Sequence, residues 1–221
     1  MGLRACFRPV AAIGLGYLAG SVPFSNLVAR RTKGVDLREV GTGTVSGSGL
    51  YYEAGLGPLL VGGILDVAKG TTGPLVAGSA SPMLAALAGG AAVIGHNWSI
   101  FLGGAGGRGI SPAMGALLVN GWQGSLVLLG GVTVGRMARL TSVGALFSYL
   151  ALIPVLAAKR GRGGAIAAVA VVLPILAKRI AGNQPAGGAK PWKTRFIRLV
   201  FDQDSPPPIE WARRQPGSSG Q

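Results

Sequence analysis

Charge is absent from this chain over stretches as long as a lipid bilayer is thick. No Asp, Glu, Lys or Arg stands between Lys69 and Arg108, between Arg108 and Arg136, or between Arg139 and Lys159. A helix crossing the hydrocarbon core needs about 20 mostly apolar residues. Helices satisfy their own backbone polar groups there, which open strands cannot do. The chain therefore reads as an all-α, polytopic transmembrane bundle of about seven spans. Only 13% of its residues are charged, against about a quarter in soluble domains. Its 39 glycines fit the same class, because small residues let helices approach where lipid removes the hydrophobic drive between them.

The first apolar segment covers residues 9–29 and is interrupted by Gly20-Ser21-Val22-Pro23. Further spans are expected at 55–77, 82–102, 141–158 and 163–181. The stretch 110–136 is either one long helix or two short ones broken near Asn120-Gly121-Trp122-Gln123-Gly124. Charge placement decides for two. With seven spans and the 30–53 loop inside, the cytoplasm receives Arg30, Arg31, Lys33, Arg38, Arg108, Arg136, Arg139, Lys178, Arg179 and every later basic residue. Only Arg4, Arg8, Lys159, Arg160 and Arg162 lie outside. The positive-inside rule thus puts the N-terminus outside and the C-terminus in the cytoplasm. Residues 1–181 form the membrane domain. Residues 182–221 are a basic extension, in which Trp192, Phe196, Leu199 and Val200 recur at helical spacing among Lys193, Arg195 and Arg198. That pattern suits an amphipathic helix on an anionic leaflet. Ser205-Pro206-Pro207-Pro208 and Pro216-Gly217-Ser218-Ser219-Gly220 read as a disordered tail.

The same topology accounts for the net charge of +14. Cytoplasmic loops and lipid headgroups explain it, and no folded basic domain presents a nucleic-acid groove. One cysteine, Cys6, allows no internal disulfide, and the scattered carboxylates with a lone histidine form no metal-ligand set.

Two glycine-rich loops fall on the cytoplasmic side. The first runs Gly41-Thr42-Gly43-Thr44-Val45-Ser46-Gly47-Ser48-Gly49; the second runs from Gly103 through Gly106-Gly107-Arg108-Gly109. Thr42, Thr44, Ser46 and Ser48 supply hydroxyls, and glycines free successive backbone N–H groups to turn toward one anion. Arg108 adds charge and a forked donor set. Loops in general are rich in these residue types, so the alternative is a pair of plain connections. Neither loop has the lysine-Ser/Thr ending of a nucleotide P-loop. His96, at the end of the 82–102 span, is either a hydrogen-bonded structural residue or a catalytic one. Asp66 and Lys69 share a face inside their span, where ionisable groups are costly unless paired or functional.

Four motifs in order carry a resemblance: Tyr17 to Phe24, Asp36-Leu37-Arg38-Glu39-Val40-Gly41-Thr42-Gly43, Leu65-Asp66-Val67-Ala68-Lys69-Gly70, and Gly95-His96 through Arg108-Gly109. Together they resemble the bacterial acyl-phosphate-dependent glycerol-3-phosphate acyltransferases. The resemblance implies a seven-span enzyme of the bacterial plasma membrane, with its active site on the cytoplasmic side. Such an enzyme moves a fatty acyl group from acyl phosphate to the 1-hydroxyl of glycerol 3-phosphate, giving lysophosphatidic acid for phospholipid synthesis. It implies no metal, no organic cofactor and no covalent intermediate, the substrate's phosphate assisting deprotonation. Its partners are those two substrates and membrane lipid, not nucleic acid. On this resemblance Arg38, Thr42, Gly43 and Arg108 belong to the phosphate-binding surface, Ser21 and His96 line the same pocket, and Asp66 and Lys69 support it. His96 and Arg108 are the catalytic candidates. The surrounding Thr44, Ser46, Ser48, Gly106, Gly107 and Gly109 complete the expected anion site.

This chain departs from the family pattern at several points. Arg108 stands where the family usually has lysine, which keeps charge and changes donor geometry. Thr44 and Gly49 replace two asparagines, Tyr52 an arginine, and Leu173 and Leu176 a histidine and an asparagine of the last span. Two outcomes remain: a diverged acyltransferase, or a homologue that binds lipid phosphate or a synthesis partner without turnover.

Overall fold

The computed structural model describes residues 3–79, 81–183 and 191–202. The proline- and glycine-rich stretches expected to form the tail lie outside them. Every described element is helical: α1 Leu3–Ser21, α2 Phe24–Lys33, α3 Gly47–Ala54, α4 Leu56–Ala77, α5 Pro82–Asn97, a 3-10 turn Ile100–Leu102, α6 Ile110–Met137, α7 Thr141–Ala181 and α8 Pro191–Phe201. Five segments are long and apolar enough to cross a membrane: Phe7–Lys33, Leu56–Ala77, Pro82–Leu102, Ile110–Met137 and Thr141–Ala181.

Local chemistry sets the boundaries. Pro23 follows the end of α1 and cannot donate to a continuing helix, so the chain bends before α2. Ser81 caps α5 by accepting from the Leu84 amide at 3.3 Å, with Pro82 as the first helical residue.

The two longest helices double back. A straight helix of 41 residues would run about 60 Å, twice the hydrocarbon core. At Gly161 the backbone takes φ 60°, ψ −148°, open to glycine alone. Beyond it, the Arg179 guanidinium reaches the Ser142 carbonyl at 2.8 Å. α6 breaks at Gly121 in the same manner, and the Ser125 hydroxyl donates to the Met114 carbonyl at 2.8 Å. Those two residues would stand about 16 Å apart along a continuous helix.

The core lies among α5, α6 and α7, where Val93, Leu117, Leu128, Leu152, Leu156 and Ile175 are fully buried. Glycine permits close crossings: a Cβ on Gly20 would sit 2.1 Å from the Ala92 carbonyl oxygen. α1 therefore touches α5 backbone to backbone, as small residues permit in lipid. A smaller cluster of Ala29, Leu37, Val45, Leu50 and Leu102 supports the loops from beneath.

This packing gathers the loops at two ends of the bundle. At one end, Arg8 donates to the Ala77 carbonyl and Gly121 packs near Arg160. At the other, the Ser99 hydroxyl donates to the Ser21 carbonyl at 2.6 Å, and Arg136 lies over the Tyr51 ring at 4.5 Å. All the candidate site residues belong to this second end or to the buried layer beneath it.

Candidate active site

The two glycine loops meet at the second end. The Val45 amide donates to the Gly106 carbonyl at 3.2 Å. Asn183, just past α7, completes the junction: its side-chain amide donates to the carbonyls of both Gly43 and Gly106 at 2.9 Å. Three distant parts of the chain are thereby tied at one point.

Each glycine has a separate reason to be there. Gly43 and Gly109 hold positive φ angles of 65° and 77°. Gly107 is needed for space: a Cβ there would stand 2.1 Å from His96 Nε2 and 2.3 Å from the Val45 carbonyl oxygen. The same residue's amide donates to the His96 carbonyl at 3.1 Å, which locks the loop onto the end of α5.

Beneath the loops lies a buried polar layer. Lys69 Nζ approaches Asp66 Oδ1 at 2.7 Å and donates to the Val22 carbonyl at 2.6 Å. The Ser25 hydroxyl donates to Asp66 Oδ2 at 2.5 Å, and His96 Nδ1 stands 3.9 Å from Asp66 Oδ1. His96 thus lies between the Asp66–Lys69 pair on one side and Gly107 on the other. Ser21 is fully buried and donates to the Tyr17 carbonyl at 2.9 Å.

The first loop contributes unevenly. Arg38 grips Asp36 with two donors, Nε at 3.1 Å and Nη2 at 2.7 Å, and Arg30 adds a third. Hydrogen bonding from Arg38 holds the Asp36 carboxyl well below the usual range, against the opposing pull of burial. The same pairing raises Arg38. Thr42 donates to the Thr44 hydroxyl at 3.0 Å, beside the Gly43 junction. Ser46 is otherwise engaged: it caps α3, accepting from the Gly49 amide at 3.2 Å. Ser48 is exposed on the outer side of that helix. The structure therefore brings Ser21, Thr42, Gly43, Thr44, Asp66, Lys69, His96 and Gly106–Gly109 together, leaves Ser46 and Ser48 outside, and sets Arg38 at the rim.

Around the expected Arg108 the structure gathers Asp202, Arg179 and Lys178, which carry no individual signal in the sequence. Arg108 forms an ion pair through Nε with the Asp202 carboxylate, and its Nη1 is buried with no partner among the described residues. Arg179 stands beside the same carboxylate at 3.8 Å, with Nη1 likewise unpaired. Lys178 lies over the Trp98 ring at 5.1 Å, its Nζ near the Gly104 carbonyl at 3.4 Å. Leu173, by contrast, points outward. Beyond Leu173 the last span instead turns Lys178 and Arg179 inward. No group of three His, Cys, Asp or Glu able to hold a metal occurs among the described residues.

Residues 10–183 match glycerol-3-phosphate acyltransferases as a family. The chain belongs to that family. A glycerol-3-phosphate acyltransferase of Synechococcus sp. (strain CC9902) is 34% identical over 190 residues, covering 80% of this chain and 94% of the relative. That of Parasynechococcus marenigrum (strain WH8102) is 32% identical, covering 84% and 95%. The crystal structure of PlsY (YgiH), an integral membrane glycerol 3-phosphate acyltransferase in its glycerol 3-phosphate form, superposes with a TM-score of 0.69 at 25% identity, over 77% of this acyltransferase and 88% of that chain. The lysophosphatidic acid form of the same protein aligns with the same TM-score at 23% identity.

Proposed function

We propose that this acyltransferase moves a fatty acyl group from acyl phosphate to the 1-hydroxyl of glycerol 3-phosphate. The acceptor oxygen forms a bond to the acyl carbonyl carbon while the bond from that carbon to the phosphate oxygen breaks. The hydroxyl proton leaves with the departing group as hydrogen phosphate, so the products are lysophosphatidic acid and inorganic phosphate. No protein side chain is acylated and no cofactor takes part. Catalysis then rests on holding two phosphate-bearing reactants in line and on fixed donors where charge develops.

One observation carries this reading: Asn183, Val45 and Gly107 lock the two glycine loops together directly above His96 and beside the Arg108 guanidinium. In it, Arg108, the loop amides of Gly106 and Gly109, and the hydroxyls of Thr42 and Thr44 bind phosphate, while Gly107 holds the loop against His96. Arg38 reaches in from the rim. His96 and Ser21 line the acceptor pocket, with Asp66 and Lys69 fixing the imidazole from below. Ser46 and Ser48 serve the fold of the loop instead.

The reversals at Gly121 and Gly161 support seven crossings, with residues 1–181 as the membrane body. The site end carries Arg30, Arg31, Lys33, Arg38, Arg108, Arg136, Arg139, Lys178 and Arg179; the opposite end carries Arg8, Lys159, Arg160 and Arg162. By the positive-inside rule the site end faces the cytoplasm of a bacterial plasma membrane, with the N-terminus outside and the C-terminus inside. The test is direct. Purified protein in lipid nanodiscs, given palmitoyl phosphate and glycerol 3-phosphate, forms lysophosphatidic acid, and Arg108→Ala abolishes it. A folded preparation that turns over neither this pair nor other acyl lengths overturns the reading.

A further inference from the structure

The family match ends at residue 183, and α8 lies beyond it. Yet α8 closes on the site. Arg198, 2% exposed, donates to the Ala181 carbonyl at 2.7 Å and anchors the helix to the end of α7. The chain then turns at Asp202, whose φ of 59° is left-handed. Glycine is the usual residue at such a helix end. Here an aspartate bears the backbone cost, and its carboxylate lands on Arg108 and Arg179.

That landing place has the character of a phosphate seat. Arg108 and Arg179 are 8% and 1% exposed, and each keeps a buried, unpaired Nη1. Two guanidinium groups face one carboxylate, so the cluster keeps positive charge that a dianion neutralises better than a monoanion does. No headgroup-sized ligand reaches guanidinium groups so deeply covered while α8 stays down. Burial also pushes the Asp202 carboxyl up, against the pull of the two arginines, so the charged form is held there at a cost.

We propose that Asp202 is a tethered competitor for the phosphate-bearing substrate: its carboxylate occupies an anion seat built by Arg108 and Arg179, and α8 lifts when substrate phosphate takes its place. This rests on the acyltransferase reading of the site only for the identity of the phosphate. A closed state holding about nine-tenths of the molecules weakens apparent affinity about tenfold, which release restores.

The experiment measures glycerol 3-phosphate binding by calorimetry to full-length protein in nanodiscs, for wild type, Asp202→Asn and Arg198→Ala, with glycerol as the uncharged control. Asp202→Asn removes the competing charge. Arg198→Ala loosens the anchor while leaving Asp202 intact. Simple charge removal predicts opposite effects, since Arg198→Ala takes away a cation; displacement predicts about tenfold tighter binding in both, with glycerol unaffected. Weaker or unchanged binding in either variant overturns the proposal and makes Asp202 a positioning or structural partner of Arg108. Turnover is read on the same samples. A binding shift without lysophosphatidic acid formation sinks the acyltransfer reading and leaves the competitor standing, whereas turnover with no shift does the reverse.

Discussion

Gly107→Ala is the sharpest test of how the two loops are joined. The added Cβ would fall 2.1 Å from His96 Nε2 and 2.3 Å from the Val45 carbonyl oxygen, where ordinary contact begins at 3.4 Å. Neither neighbour is a free end: Val45 is backbone, and the His96 ring is enclosed beside Asp66. Relief therefore requires the first loop and the end of α5 to separate by about 1 Å. Overpacking of that size costs about 1–3 kcal/mol, and a misplacement of about 1 Å can cost on the order of 100-fold in rate. The matched control is Gly103→Ala. Its φ is 62°, but nothing lies within 4 Å of the added carbon. It bears a left-handed penalty of about 1 kcal/mol without moving either loop. Thermal unfolding and kcat/KM in nanodiscs separate the two: Gly103→Ala loses stability only, whereas Gly107→Ala also loses about two decades of activity. Equal activity in both would refute the account of the junction.

Asn183→Ala removes both bonds of the bridge and is expected to lower kcat/KM about tenfold, with a loss of about 1–3 kcal/mol in unfolding free energy. Lys69→Met leaves Asp66 buried without its counter-charge and costs about 3–5 kcal/mol; Asp66→Asn with Lys69→Met recovers much of that in detergent melts. Asp36 contributes stability at neutral pH because its folded carboxyl lies below the unfolded value near 3.9. That contribution is complete above the unfolded value and is lost only as pH falls through the lowered folded one. The Tm gap between wild type and Asp36→Asn is thus flat from neutrality to about pH 5 and narrows in stronger acid. A gap that closes near pH 6 would assign the effect to another group.

The apolar segments and their bends were legible because hydropathy and charge report them one segment at a time. Pro23, the Asn120–Gly124 break and the basic cluster near Lys159 each mark a bend that the chain makes. The motif order likewise located Asp66, Lys69 and His96, which fold into one buried layer. What escaped were side chains whose roles depend on distant partners. Lys178 and Arg179 read as orientation markers, yet they turn inward toward Trp98 and Tyr149. Asp202 belongs to no motif, yet it pairs with Arg108. Counting hydroxyls placed Ser46 and Ser48 with the other loop hydroxyls, because composition does not reveal that one caps a helix and the other faces outward. Asn183 supplies the bridging amide from outside the loop in which the family places its asparagines.

A shared site requires both glycine loops to open to one side of the membrane. Thr42 and Gly103 are exposed, one in each loop, and Cys6 is the single native cysteine. Cysteine placed at Thr42 or Gly103, in a Cys6→Ser background, can be labelled with an impermeant thiol reagent in right-side-out and inverted vesicles. Both positions are expected to label only from the cytoplasmic face, with glycerol 3-phosphate slowing the reaction at each. Labelling of the two from opposite faces would contradict the shared site.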